Sequence, residues 1–105
     1  MDVDPGTLAE VVRRIVAHLR PVRVILFGSA ARGEMREDSD LDVLVVMPEG
    51  CHRRRTAQLL QPVMAGIPVP VDIKVATTGD LERHGDNPGL VYHSILEEGL
   101  ELYAG

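Results

Sequence analysis

Three acidic side chains and one small turn carry the chemistry open to this sequence. Asp40 and Asp42 stand two apart at the head of an apolar run, Asp40-Leu41-Asp42-Val43-Leu44-Val45-Val46, ten residues after Phe27-Gly28-Ser29, and Asp72 follows alone inside a second apolar run. Residues i and i+2 of a strand point to the same side, so Asp40 and Asp42 can converge on a metal while Leu41 and Val43 pack the opposite face. Mg²⁺ is a hard cation that takes carboxylate oxygens together with substrate phosphates. Two such ions about 3.5–4 Å apart serve phosphoryl transfer, one at the attacking hydroxyl and one at the leaving pyrophosphate. The pattern therefore outlines a two-metal site with Asp40 and Asp42 as ligands. Asp72 is the third carboxylate, placed to ligate the catalytic metal and to orient or accept the acceptor proton. Gly28 lets the backbone approach phosphate oxygens closely, and Ser29 adds a hydroxyl and an N–H where a helical turn begins. Four fixed residues at this spacing arise by chance about once in a thousand chains of this length.

Each residue also has an ordinary reading. Gly28-Ser29 can be a plain strand-to-helix turn, Asp40 a loop cap, and Asp72 the salt-bridge partner of its same-face neighbour Lys74. Asp42 has the poorest ordinary reading, because a carboxylate among buried aliphatic residues is costly unless it is paired or metal-bound. Lys74 and Arg32 can each neutralise triphosphate charge, in a chemistry that is mostly positioning and electrostatics, or can be solvated or paired. Arg53-Arg54-Arg55, near a helix start, reads as a solvated face, with an acidic or phosphate-bearing partner as the other reading. Tyr92 and Tyr103 read as packing residues near the C-terminal end, and the four histidines show no relay spacing.

Phe27-Gly28-Ser29-Ala30-Ala31-Arg32-Gly33, then Asp38-Ser39-Asp40-Leu41-Asp42, then Val71-Asp72-Ile73 resembles the minimal nucleotidyltransferases of the DNA polymerase β superfamily, and Glu98-Gly99-Leu100-Glu101-Leu102-Tyr103 resembles the way these small proteins end. The resemblance covers nearly the whole chain. It implies an α+β fold, a small mixed β-sheet flanked by helices, and a Mg²⁺-bound nucleoside triphosphate, ATP first among donors. It also implies transfer of a nucleoside monophosphate to an acceptor hydroxyl. Many members resemble antitoxins that silence a helical HEPN-type ribonuclease toxin by adding AMP to a tyrosine. Two rivals stand beside that expectation: an antitoxin that works by binding alone, and an enzyme that nucleotidylates a small molecule.

The elements that must position these residues follow from periodicity and breakers. Leu8, Val11, Val12, Ile15, Val16 and Leu19 recur at helical spacing, and Thr7-Leu8-Ala9-Glu10 fits a capping box, so a first helix is expected over residues 8–19. Pro21 ends it. Residues 22–27 read as a strand, 30–32 as a helical turn stopped by Gly33, 34–39 as a polar loop, and 40–47 as a second strand with its apolar end buried on both faces. Residues 52–64 read as a helix packing through Leu59, Leu60, Val63 and Met64. Residues 69–75 alternate as a half-buried strand with Asp72 and Lys74 toward the site. A short helical turn and loop over 77–87 leads to a helix beginning at Asn87-Pro88, packing through Leu90, Val91, Ile95 and Leu96, and stopped at Gly99. Residues 100–103 are expected to dock or to add an edge strand.

Composition narrows the remaining choices. At 105 residues the chain is expected to be one domain, 1–105, with no room for a separate acceptor-binding domain. The acceptor surface is then expected from a partner or from a homo-oligomer. A net charge of −5 argues against sequence-independent grip on nucleic acid, and no direct sequence-specific nucleic-acid binding is expected. The lone Cys51 cannot close an internal disulfide. The acidic start is no signal peptide and no run approaches membrane-spanning length, so a cytoplasmic location without membrane contact is expected.

Overall fold

The computed structural model describes residues 4–34, 39–84 and 91–105. Helix α1 spans Pro5–His18 and starts earlier than the Thr7 box suggests. Asp4 is the N-cap: its Oδ2 accepts from Thr7 N–H at 3.2 Å, and Pro5 takes the first helical position, where a missing N–H costs nothing. Glu10, freed from a capping role, pairs with Arg13 and Arg14. The hydrogen bond from Arg13, then that from Arg14, hold the Glu10 carboxyl down at about 2.

Strand β1 (Arg23–Phe27) leads through a turn to β2 (Leu41–Met47), which runs antiparallel to it with Phe27 opposite Asp42. Helix α2 (Arg53–Leu60) is capped by His52, whose Nδ1 accepts from Arg55 N–H at 3.1 Å, and it tightens into a 3₁₀ turn over Gln61–Met64. The chain then enters β3 (Val71–Thr77), parallel to β2, as a right-sized crossover through a helix allows. Helix α3 (Thr78–His84) follows at once. Helix α4 (Val91–Glu98) ends at Gly99, and β4 (Leu100–Ala104) returns antiparallel to β1 as an edge strand. The sheet order is β3-β2-β1-β4, a mixed α+β sheet as expected.

Alternation along the strands divides the interior into two cores. On one face Val24, Leu26, Leu41, Val43, Val45, Val71 and Ile73 pack with Val11 and Ile15 of α1 and with Leu60 and Met64. On the other, Ile25, Leu44, Val46 and Ala76 pack beneath Ile95 of α4, with Phe27 and Tyr92 at the margin. Strand β2 is therefore apolar on both sides beyond Asp42, the pattern of a strand covered on two faces.

Some packing expectations are corrected. Leu59 is 54% exposed: Leu60 and Met64, four apart, turn toward the core, and their neighbour points outward. Leu96 likewise sits at the rim. The loop around Asp38 and the helix start at Asn87-Pro88, with Leu90, lie outside the described residues. Among those described, no helix is long and apolar enough to cross a membrane.

Candidate active site

The carboxylates meet where the sheet changes from antiparallel to parallel pairing. Asp42 is the register partner of Asp72 across the parallel β2–β3 pair, so the two residues stand side by side on one face at the interstrand spacing of about 4.8 Å. Asp40, exposed, precedes the strand by one residue, where Leu41 N–H donates to Pro70 O at 2.8 Å and pins β2 to the chain entering β3. The electrostatics follow from that proximity. Burial first, then Asp72, then Asp40, push the Asp42 carboxyl above its ordinary value, while Lys74 and Arg32 pull it down without offsetting them.

Gly28 touches this group directly. It has φ +73°, and a β-carbon there would lie 3.3 Å from Asp42 Cγ and inside contact distance of Asp42 Oδ2. Only glycine combines that backbone conformation with that approach. The segment after it is a turn rather than a helix: Arg32 N–H donates to Gly28 O at 3.3 Å, Gly33 N–H to Ala30 O at 3.3 Å, and Glu34 N–H to Ser29 O at 2.8 Å. Ser29 is half-buried beside Gly28, so the helix-start argument for anion binding gives way to a turn in which Ala30 is buried against the core.

Arg32 stands near the site but is engaged, its Nε 3.1 Å from Glu34 Oε2 and its Nη1 3.6 Å from Glu98 Oε2. Exposed pairs of this kind contribute little to stability and exchange readily for a stronger anion. Lys74 lies two residues beyond Asp72 on the same face, opposite Leu44, and no ion pair joins it to Asp72.

Two hollows lie near the Asp42–Asp72 pair, and neither is lined by the carboxylates themselves. A cleft of about 90 Å³ on the β1 side is lined by Phe27, Gly28, Arg32, Ser94, Ile95 and Glu98. A cavity of about 330 Å³ on the β3 side has a floor of Leu44, Val75 and Ile95 and a rim that includes Arg53, Arg54, Lys74 and Tyr92. Arg53 and Arg54 are exposed, as a solvated face requires, and Tyr92 packs at the margin of the second core. That they also line one cavity has no local signal, because its four contributing elements are far apart in sequence.

A buried network holds the arginine end of this cavity. Asp80 is 4% exposed, accepts from Thr77 N–H at 3.0 Å, and pairs with Arg53 Nη1 at 3.0 Å and Arg83 Nη2 at 3.1 Å. Burial alone would raise its carboxyl; the hydrogen bonds from Thr77 and the charge of Arg53 outweigh that and keep it below its ordinary value. Glu49 completes the tie, accepting from Thr77 Oγ1 and Gly79 N–H, both at 2.6 Å.

Among the described residues, no group of three or more His, Cys, Asp or Glu side chains is gathered closely enough to hold a metal ion by itself. The donor set still fits Mg²⁺, which is bound through one or two carboxylates completed by substrate phosphates and water rather than by an all-protein cage. The side-by-side placement of Asp42 and Asp72 on one face, where burial and the neighbouring carboxylates disfavour the Asp42 charge, is the arrangement that a cation would stabilise.

The fold and this constellation define a nucleotidyl-transferring class. The family model of the nucleotidyltransferase domain matches residues 7–101, and the chain belongs to that family and is a nucleotidyltransferase. No curated protein matches the chain significantly. Among solved structures, a Sulfolobus solfataricus protein assigned as a nucleotidyltransferase superposes with a TM-score of 0.64 at 20% identity, covering 94% of this chain and 78% of that one. A toxin–antitoxin complex with AMP-PNP matches with a TM-score of 0.54 at 17% identity, over 98% of this chain and 75% of that one. The tri-AMPylated Shewanella oneidensis HEPN toxin in complex with MNT antitoxin matches with a TM-score of 0.57 at 13% identity, over 95% and 71%. At these identities the likeness is one of fold.

Proposed function

We propose that the chain, acting as a single domain over residues 1–105, moves a nucleoside monophosphate, AMP from ATP in the first instance, to a tyrosine hydroxyl of a HEPN-type toxin and so serves as its antitoxin. The observation that carries the transfer reading is the side-by-side Asp42–Asp72 pair with Gly28 pressed against Asp42. The antitoxin reading is supported by the toxin–antitoxin neighbours, one holding AMP-PNP and one an AMPylated HEPN toxin.

In this reading the donor's β- and γ-phosphates lie over the Gly28-Ser29 turn, where the absent side chain leaves backbone open to phosphate oxygens. Arg32 exchanges its exposed glutamates for phosphate charge. The acceptor hydroxyl attacks the α-phosphorus in line; the new P–O bond forms as the bond to the bridging oxygen of the β-phosphate breaks, and pyrophosphate leaves. Asp72, next to Asp42 and on the side away from the turn, takes the hydroxyl proton. Lys74 offsets developing negative charge on the same face. Mg²⁺, when bound by Asp40, Asp42 and Asp72 with the donor phosphates, supplies charge neutralisation for the attacking and leaving oxygens.

The test is intact-mass spectrometry of the protein encoded beside this one after incubation with this chain, Mg²⁺ and ATP, with Asp42→Ala as control. Mass increments of AMP that vanish in the control support the reading. A stable complex with no increment would replace it with an antitoxin that acts by binding.

A further inference from the structure

Helix α4 ends against the turn that the reading above gives to the donor phosphates. Gly99, which stops the helix, donates its N–H to Ile95 O at 2.8 Å, and a β-carbon there would come 2.6 Å from Ile25 Cγ2 and 3.1 Å from Leu26 O. No side chain fits between the helix end and β1. The close approach pins the last turn of α4 to the strand residues just before Phe27 and Gly28, and Glu98 lines the small cleft together with Gly28 and Arg32.

Glu98 is ill-placed by the rules of its own helix. The last turn of α4 carries Glu97 and Glu98 and no basic residue, whereas the negative end of a helix favours cations. Glu97 turns to His93 one turn back, with Nε2 to Oε1 at 3.3 Å. Glu98 instead finds its cation outside the helix, its Oε2 3.6 Å from Arg32 Nη1. Arg32 is held from the other side by Glu34, with Nε to Oε2 at 3.1 Å, and its own backbone N–H is tied to Gly28 O.

One guanidinium therefore serves two carboxylates beside the turn. All three side chains are exposed, so the pairs open without a backbone change. A polyphosphate that draws Arg32 away leaves Glu98 at a helix end with no cation, and leaves Glu34 alone as well. The ligand's gain from Arg32 is reduced by that loss, and the loss is recovered when the ligand departs.

Resting on the reading in which Arg32 turns to the donor phosphates, we propose that Glu98 is a positioning residue that acts through Arg32. Together with Glu34 it competes with the donor for the guanidinium and holds the affinity for donor and pyrophosphate below what Arg32 alone would give. It takes the guanidinium back as pyrophosphate leaves. The turn is then a displaceable clamp, in which α4 supplies one jaw, rather than a fixed anion site.

The experiment is calorimetric titration of AMP-PNP with Mg²⁺, and separately of pyrophosphate with Mg²⁺, into the full chain at about 0.15 M salt, where exposed charges more than about 8 Å apart are largely screened. Glu98→Gln removes an anion from a helix C-terminus, so the fold should hold. It should bind both ligands about two- to fivefold more tightly, the size set by loss of one exposed pair. Adding Glu34→Gln should tighten both further. Arg32→Gln should weaken both ligands about tenfold, and in that background the gain from Glu98→Gln should disappear. In transfer assays the KM for ATP should fall with Glu98→Gln while kcat does not rise, because pyrophosphate is held more tightly. A gain that persists beside Arg32→Gln would assign Glu98 to general repulsion and overturn the proposal. Unchanged or weaker binding by Glu98→Gln would overturn it too, as would an Arg32→Gln chain that binds both ligands like the wild type. If AMP-PNP fails to bind while pyrophosphate binds with the expected dependence, the donor reading fails and the clamp stands. Failure of both ligands to bind would overturn both.

Discussion

Replacing Gly28 with alanine separates two penalties that the structure places on one residue. The first is backbone strain: at φ +73° a residue with a β-carbon costs about 1–2 kcal/mol. The second is displacement, because the new methyl group would stand 3.3 Å from Asp42 Cγ and closer still to its Oδ2, so the carboxylate must move. Gly66 isolates the first penalty. It has φ +88° and no atom within 4 Å of a built β-carbon. Gly66→Ala should therefore lower stability by about 1–2 kcal/mol in urea melts and Gly28→Ala by more than that, with the melting temperature falling about 4–8 °C per kcal/mol. Only Gly28→Ala should damage chemistry. A misplacement of about 1 Å at a reacting centre costs roughly a hundredfold in rate, so AMP transfer to the partner protein, measured well below both melting temperatures, should fall by about that factor for Gly28→Ala and stay unchanged for Gly66→Ala. Wild-type transfer by Gly28→Ala, or equal rate losses in the two variants, would refute the claim that the turn exists to set the position of Asp42.

Three further outcomes follow from the same contacts. Asp42→Asn keeps the side chain's shape but removes a charge that burial, Asp72 and Asp40 make unfavourable. A carboxyl whose folded pKa lies above its unfolded value weakens the fold once the pH exceeds the unfolded value, fully so above the folded one. Metal-free Asp42→Asn should thus melt above the wild type at pH 7, match it near pH 3, and lack transfer activity; a lower melting temperature at pH 7 would contradict the charge argument. Asp80→Ala leaves the Thr77 N–H without its buried acceptor and releases Arg53 and Arg83, and should cost about 2 kcal/mol in chemical denaturation. Arg14→Met removes donors to Val63 O at 3.0 Å and Ala65 O at 2.7 Å, which staple α1 to the 3₁₀ turn, and should cost about 1 kcal/mol without changing transfer. An unaltered denaturation midpoint would show that water replaces that staple at no cost.

What was legible in the sequence divides along the range of the interactions. Helix α1 was visible from its apolar period, yet its start was misplaced, because Asp4 and Thr7 are both competent caps and the choice turned on Pro5 fitting the first helical position. Leu59 and Leu60 are equivalent by composition; only the tightening of α2 into the 3₁₀ turn decides which one faces the core. The alternation around Asp72 fixes its face, whereas its register against Asp42 depends on the crossover through α2 and cannot be read from one strand alone.

The two sides of the site differ in the same way. Gly28 comes to Asp42 through a single connection between neighbouring antiparallel strands, with Phe27 opposite Asp42, so the phosphate-seating turn and the first carboxylates appear as one short motif. The cavity lined by Lys74 is assembled from β2, α2, β3 and α4, and none of Arg54, Lys74 and Tyr92 carries a local signal of its neighbours. A short motif can thus preserve the contact between the turn and the first carboxylates, while the cavity beside them is set by packing between distant elements. Substitutions at Arg54 or Tyr92 can therefore reshape that cavity without touching the Gly28–Asp42 contact, because no element that lines it also carries the turn.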